Sequence, residues 1–396
     1  WRQEGLSHMT KGLIVLALSY ALSQFYRAFL PVLSPVLKAD LGATPENLAT
    51  ASSVWFLVFA AMQIPVGAAL DRFGPRWTAA VLFAVGGGGG ALAFALAQSP
   101  VQITWAMALL GVGCSPVLMA SYYIFARQYS AAMFATLATA MIGLGSLGNI
   151  AGASPLAWSV AAFGWRPSVL ALATLSLAVA LAIAMLVRDP ERMPVTTRGS
   201  VIDLLRIPAL WPIFAMMFVN YAPAAGIRGL WAGPFAAEVY GADTLTIGRV
   251  TLVMGLAMIV GNFAYGPMDR LFGTRKWVVI VGNTAALAAL VLLALQPAAG
   301  LVRSTALLAV LGAGAAAYGL IIAHARAFFP PHLTGRGVTL MNLFGVGGVV
   351  VMQYATGPIY RAGATPTQSF TLLFAAFAAL LAAGLLIYLF ARDRTD

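Results

Sequence analysis

The sequence predicts an all-α integral membrane protein of twelve transmembrane helices in two pseudo-symmetric six-helix bundles, and three observations carry that prediction. Apolar residues are 61% of the 396 and charged residues only 9%, against the roughly 25% charged of a soluble domain. The apolar residues gather into twelve runs, each long enough for a helix to cross the hydrocarbon layer. A loop motif beginning Asp71-Arg72 returns as Asp269-Arg270, half a chain length later. With a mean hydropathy of +0.88, this composition excludes a water-soluble enzyme, and the lack of polar low-complexity tracts excludes disordered, collagen-like and coiled-coil chains.

Taken in order, the runs are 11–37, 47–70, 77–97, 101–124, 132–157, 166–187, 209–235, 246–268, 277–296, 304–325, 336–359 and 369–391. They are continuously apolar and do not alternate as ~10-residue strands, so a β-barrel is excluded. The first is too long, and too soon followed by others, for a cleaved signal peptide. Lys and Arg in the short loops set the orientation. With a cytoplasmic N-terminus, 16 of the 23 basic residues lie inside, 5 lie outside and two, Arg27 and Arg228, lie within spans one and seven. Both termini are therefore expected in the cytoplasm, with the chain multi-pass in the cytoplasmic (inner) membrane. The net charge of +11 is mostly this topology signal, and no nucleic-acid partner is expected. The lone cysteine, Cys114, excludes a disulfide framework and reads as a small packing residue.

The longest polar stretch, 188–208, divides the chain into an N-terminal half (1–187) and a C-terminal half (209–396). Such tandem halves leave a weak internal echo. After span two stand Gly67, Asp71, Arg72, Gly74 and Arg76, and after span eight stand Asp269, Arg270, Gly273 and Arg275, the second copy carrying one inserted residue. At these residues the sequence resembles the major facilitator superfamily over essentially its whole length. The resemblance implies a secondary transporter working by alternating access, with these residues as a charge-assisted latch that breaks when the halves rock. Two other signatures of the superfamily are missing. Met107 stands where proton-coupled members carry Arg in span four, and the Gly-Pro pattern of drug exporters is absent from Gly145 to Pro155. Drug efflux by proton antiport is weakened accordingly.

Arg27 and Arg228 are the most informative residues. An Arg at the bilayer centre costs about 2.5–3.5 kcal/mol on insertion scales, so it normally faces a protein interior or an aqueous cavity. All 12 acids read as lying in loops, tails or helix ends, which leaves the two arginines without an evident partner in the sequence. The competing account is that they snorkel to headgroups, more easily for Arg228, which lies nearer the outer surface. Two cations facing one cavity call for an anion, and Arg grips carboxylate or phosphate bidentately. The pair looks like that of the organophosphate:phosphate antiporter branch. Ala28 stands where glycerol-phosphate members have Lys, and span two is uncharged, which favours a monoanion such as a carboxylate or sulfonate.

Helical spacing adds Tyr20, Ser23 and Gln24 beside Arg27, and Tyr221 and Trp231 beside Arg228. Asn149, Tyr318 and Gln353 are further candidates for a cavity wall, whereas Phe25 and Trp55 read as lipid-facing or packing residues. His324 is the one titratable candidate for proton coupling near the membrane interior. Anion exchange, or potential-driven uniport, needs no such group and is preferred, with proton symport left open. The five glycines 86–90 are expected to serve close helix packing. Two other ligand readings remain. Met254 and Met258, four apart on span eight, would suit Cu(I) in a copper importer, and a ligand sensor that moves nothing would share the same spans. No nucleophile with base and orienting group, and no cofactor motif, is visible, so no enzyme and no cofactor are expected. The expected partners are a small anionic substrate and the lipid bilayer, with the chain acting as a monomer.

Overall fold

Proline and glycine decide where these apolar runs bend and where they touch. The structure, a computed structural model, describes residues 2–129, 131–190, 201–330 and 333–394, and among these every element is helical. Several helices start at a hydroxyl cap followed by proline. Thr44-Pro45, Ser99-Pro100 and Thr365-Pro366 each place an oxygen over the third helical amide and a residue without an N–H at the first position. Asp243 caps Thr244–Phe272 in the same way, accepting from the Thr246 amide.

Ten helices are long and apolar enough to cross a membrane, and one bent pair makes an eleventh. The twelve expected spans become ten or eleven among the described residues. The difference lies at 132–157, which folds as Ala131–Ala151 and Ser154–Phe163. The break at Gly152 and Ala153 immediately precedes Pro155 near the start of the second piece, and neither piece is among the ten. The first span also departs from expectation. It is Lys11–Ala28 and Leu30–Leu41, meeting at 52°. Pro31 lacks the amide that would have bonded the Arg27 carbonyl, and its ring crowds that carbonyl, so the chain turns two residues after Arg27. Span seven is longer than read, running over Pro208–Tyr240.

The chain divides into two compact units, Trp1–Pro194 and Val195–Asp396, and the boundary falls in the polar stretch 188–208. Residues 191–200 of that stretch, with Arg192 and Arg198, lie outside the described residues. Each unit uses the same close contact. In the first, Gly148 of the fifth expected span lies where any Cβ would strike the Ala21 carbonyl of span one. In the second, Gly348 of span eleven meets the Phe218 carbonyl of span seven in the same manner. Gly86 and Gly113 abut likewise, so the glycine run in span three does serve packing, here within a π-helical turn, Phe83–Gly88.

Candidate functional site

The break in span one sets the environment of Arg27. Its guanidinium carbon lies 5.2 Å from the Trp55 ring centroid, 5.2 Å from Phe59 and 6.0 Å from Phe56. Trp55 and Phe59 are themselves stacked, 5.2 Å apart and 11° from parallel. Ring faces carry negative potential, so a cation held against three of them is stabilised by about 0.5–2 kcal/mol depending on desolvation. Trp55 is only 1% exposed, which sets aside the lipid-facing alternative and leaves it packed against Arg27. Phe25, also buried, is a packing residue.

The neighbours predicted from helical spacing divide between two partners. Tyr20 and Gln24 bond to each other at 2.5 Å and pack over Gly145 of the fifth expected span. Ser23 is buried against the Cys114 thiol in span four, within the field of Arg27. Asn149 lies one residue beyond Gly148, half-buried on that same helix.

Arg228 has a different setting. It is 5% exposed and sits in a π-helical turn, Ile227–Trp231, between Pro223 and Pro234. Such turns widen the helix by one residue and often mark functional positions. Its Nη1 lies 3.6 Å from where a Cβ on Gly255 of span eight would stand. Gly255 is well inside Thr244–Phe272, so within this unit Arg228 points into the span and does not snorkel to its end. Gln353, fully buried, brings Oε1 to 3.4 Å from the corresponding point on Gly226. Trp231 is also fully buried and stacks on Tyr360, centroids 5.1 Å apart. Tyr360 donates to Glu238. Span seven extends to Tyr240, so Glu238 lies in its last turn as a helix-end acid. Tyr221 and Tyr318 meet edge to face at 5.4 Å, with the Tyr318 hydroxyl donating to Asn342 at 2.7 Å. Asn342 was missed in the sequence, where it is one amide among many.

The duplicated loop motif shows a carboxylate that sequence reasoning overlooked. In the first unit Asp189, just after span six, accepts from the Arg76 amide at 2.8 Å and covers Gly74, while Arg76 Nε donates to the Ala184 carbonyl at 2.6 Å. In the second unit Asp393, just after span twelve, accepts from the amides of Arg275 and Lys276 at 3.2 and 3.1 Å and from Thr274 Oγ1. Burial pushes the Asp393 carboxyl up, but these three hydrogen bonds outweigh it and hold the group below its ordinary value. Arg275 also pairs with Asp269 at 3.2 Å. Gly74 and Gly273 end the preceding helices with positive φ of 86° and 63°, a conformation that suits glycine. Arg72 and Arg270 are exposed, Arg72 against Phe73, and nothing packs over Gly67. The Asp71 side chain lies outside the described residues. These contacts all lie within a single unit. A readable signal existed, since both overlooked carboxylates follow an arginine, as Arg188-Asp189 and Arg392-Asp393.

Both nitrogens of His324 are engaged in the second unit. Nε2 lies 2.8 Å from the Arg392 carbonyl, which can only accept, so Nε2 donates and Nδ1 accepts from the Tyr388 hydroxyl at 2.6 Å. This neutral tautomer is satisfied as it stands, and it ties span ten to the end of span twelve. Met254 and Met258 pack their side chains against Gly312 of span ten. Among the described residues no group of three or more His, Cys, Asp or Glu could hold a metal ion.

Ten or eleven apolar spans, with an arginine inside one span of each unit, describe a multi-pass membrane protein. The family model of the Major Facilitator Superfamily matches residues 16–230, and the chain belongs to that superfamily. A curated relative, the uncharacterized transporter YybO of Bacillus subtilis (strain 168), is 22% identical over 282 residues, 66% of this chain and 63% of that one. The match thus spans less than two thirds of that relative's length. Among solved structures, a D-xylose-proton symporter superposes with a TM-score of 0.80 at 15% identity over 97% of both chains. A bacterial homolog of the human lysosomal transporter Spinster, inward-facing and occupied, gives 0.73 at 18% identity over 96% of both. The nucleoside transporter NupG, as a D323A mutant, gives 0.79 at 13% identity over 96% of this chain and 99% of that one. These likenesses establish the fold and leave the substrate to the chain's own residues.

Proposed function

We propose that this transporter moves a small organic anion, a carboxylate or sulfonate in preference to an organophosphate, across the cytoplasmic membrane by alternating access. The observation that carries this reading is one arginine inside a span in each unit, Arg27 against aromatic rings and Arg228 over a glycine. Guanidinium groups stay charged at any physiological pH and grip two oxygens at once. The two units act as rocking halves, with both termini cytoplasmic as the excess of basic residues in alternate loops requires.

Exchange of one anion for another is the preferred coupling, with symport as the alternative. The packing of His324 speaks for exchange, because its neutral ring already has both partners. No observation favours copper import, drug efflux or a sensor that does not transport. The packing of Met254 and Met258 on Gly312 accounts for that pair as core.

Thermal stabilisation of the purified protein by a panel of carboxylates, sulfonates, phosphates, cationic drugs and Cu(I) tests the reading. Carboxylates or sulfonates are expected to raise the melting temperature of wild type and to lose that effect in Arg27→Ala and Arg228→Ala. Stabilisation by a cationic drug or Cu(I) alone, or mutants that respond like wild type, would overturn it.

A further inference from the structure

The protein has nine tryptophans, and two of them, buried Trp165 and half-exposed Trp211, pair their indole N–H. Trp165 donates to Asp40 at 3.1 Å, and Trp211 donates to the Leu205 carbonyl at 3.0 Å. Trp55 and Trp231 break that pattern. They are 1% and 0% exposed, and the indole nitrogen of each is buried with no acceptor among the described residues. Indole nitrogen can only donate, and leaving such a donor buried and unmade costs about 1–3 kcal/mol, so the position needs an explanation. Packing alone would be served as well by Phe, which this chain uses 22 times, including at Phe56 and Phe59 on the same helix.

Trp55 is the more informative of the two because it stands beside Arg27. The Arg27 Cζ lies 5.2 Å from its ring centroid, so the guanidinium and the indole are direct neighbours. Phe56, at 4.8 Å from Trp55, and Phe59, stacked on it, offer no acceptor.

We infer that Trp55 is a substrate-binding residue, donating its indole N–H to an oxygen of the anion gripped by Arg27, and that it selects for head groups that only accept hydrogen bonds. This rests on the anion reading above and sharpens it. An ionised carboxylate or sulfonate accepts from both donors and neutralises the guanidinium, whereas a neutral amide or alcohol brings no charge and donors of its own.

Equilibrium binding of acetate, benzoate and methanesulfonate to the purified full chain tests this, with Trp55→Phe and Arg27→Ala as variants. Trp55→Phe keeps an aromatic face over the guanidinium and removes only the donor. It is expected to weaken the best-bound of these probes by about 10- to 100-fold, as for a hydrogen bond to a charged group. It should also narrow the preference for benzoate over benzamide. If Arg27→Ala loses binding while Trp55→Phe binds within twofold of wild type, the Trp55 inference fails and the anion reading stands. If Arg27→Ala binds like wild type, or wild type binds none of the three, the anion reading fails and the inference with it. A check on the wild-type protein, independent of how the variants fold, is the spectrum of its nine 15N-labelled indoles. Saturation with the bound probe should move one buried indole proton downfield, and nine unmoved signals would overturn the inference.

Discussion

Arg27 and Arg228 are two solutions to one problem, holding a guanidinium inside an apolar span. Arg27 is half-buried beside a proline break and rests against three rings of span two. Arg228 is almost fully buried in a π-helical turn, and the space for it comes from Gly255. The first unit stabilises the cation with π-electron density and the second gives it room. The consequence is that the two should respond differently to changes around them while responding alike to their own removal.

Removal should give the largest effect. Arg27→Ala and Arg228→Ala are each expected to reduce anion uptake on the order of 100-fold, as for truncating one partner of a buried charged contact. A variant that transports normally would show that the equivalence of the two arginines is only formal.

The next effect concerns the packing shared by the units. Gly148→Ala and Gly348→Ala each drive a methyl into a backbone carbonyl of the neighbouring helix, so each should lower stability by about 1–3 kcal/mol. Thermal melting in detergent reads this, and a loss at only one position would break the packing repeat.

A size series at Gly255 then separates the two arginines. Alanine there fits, because its Cβ would stand 3.6 Å from Arg228 Nη1, while valine or leucine would push the guanidinium aside. Uptake should be near normal for Gly255→Ala and fall about tenfold for Gly255→Leu, with about tenfold corresponding to 1.4 kcal/mol of lost binding. Binding to Arg27 in the first unit should be insensitive to the series, so a uniform collapse of folding in the alanine variant would count against the arrangement.

The smallest effect is at the helix starts. Asp189→Ala and Asp393→Ala should each cost about 0.5–2 kcal/mol as lost caps. Asp393 is held below its ordinary value in the folded protein, so its contribution is fully present above the ordinary carboxylate range and is lost as pH falls through the depressed value. Acid melting curves of wild type and Asp393→Asn should therefore converge only below about pH 4, the unfolded carboxylate range.

Much of this was legible in the sequence because hydropathy and charge are local. The spans came out close to their observed limits wherever proline and a hydroxyl cap mark the helix start, as at Thr44 and Ser99. The arginines were legible because charge in an apolar run is conspicuous. What surrounds them was not. The rings that flank Arg27 come from another helix about 30 positions later, and periodicity within span one pointed instead to Tyr20 and Gln24, which turn toward Gly145. The bend after Arg27 follows from Pro31, but its consequence for which face the arginine presents depends on neighbours in space. Asp189 and Asp393 were hidden because a cap in a membrane protein can come from the far end of the bundle, as these do from the residues after spans six and twelve.

The central claim is that an arginine in each unit binds the anion that is carried. Counterflow in proteoliposomes loaded with an unlabelled carboxylate, with labelled carboxylate outside, measures that step with no need for a proton gradient. Wild type should accumulate label transiently, and Arg27→Ala and Arg228→Ala, reconstituted to the same density, should stay at the level of empty vesicles. Accumulation by either alanine variant equal to that of wild type would contradict the account.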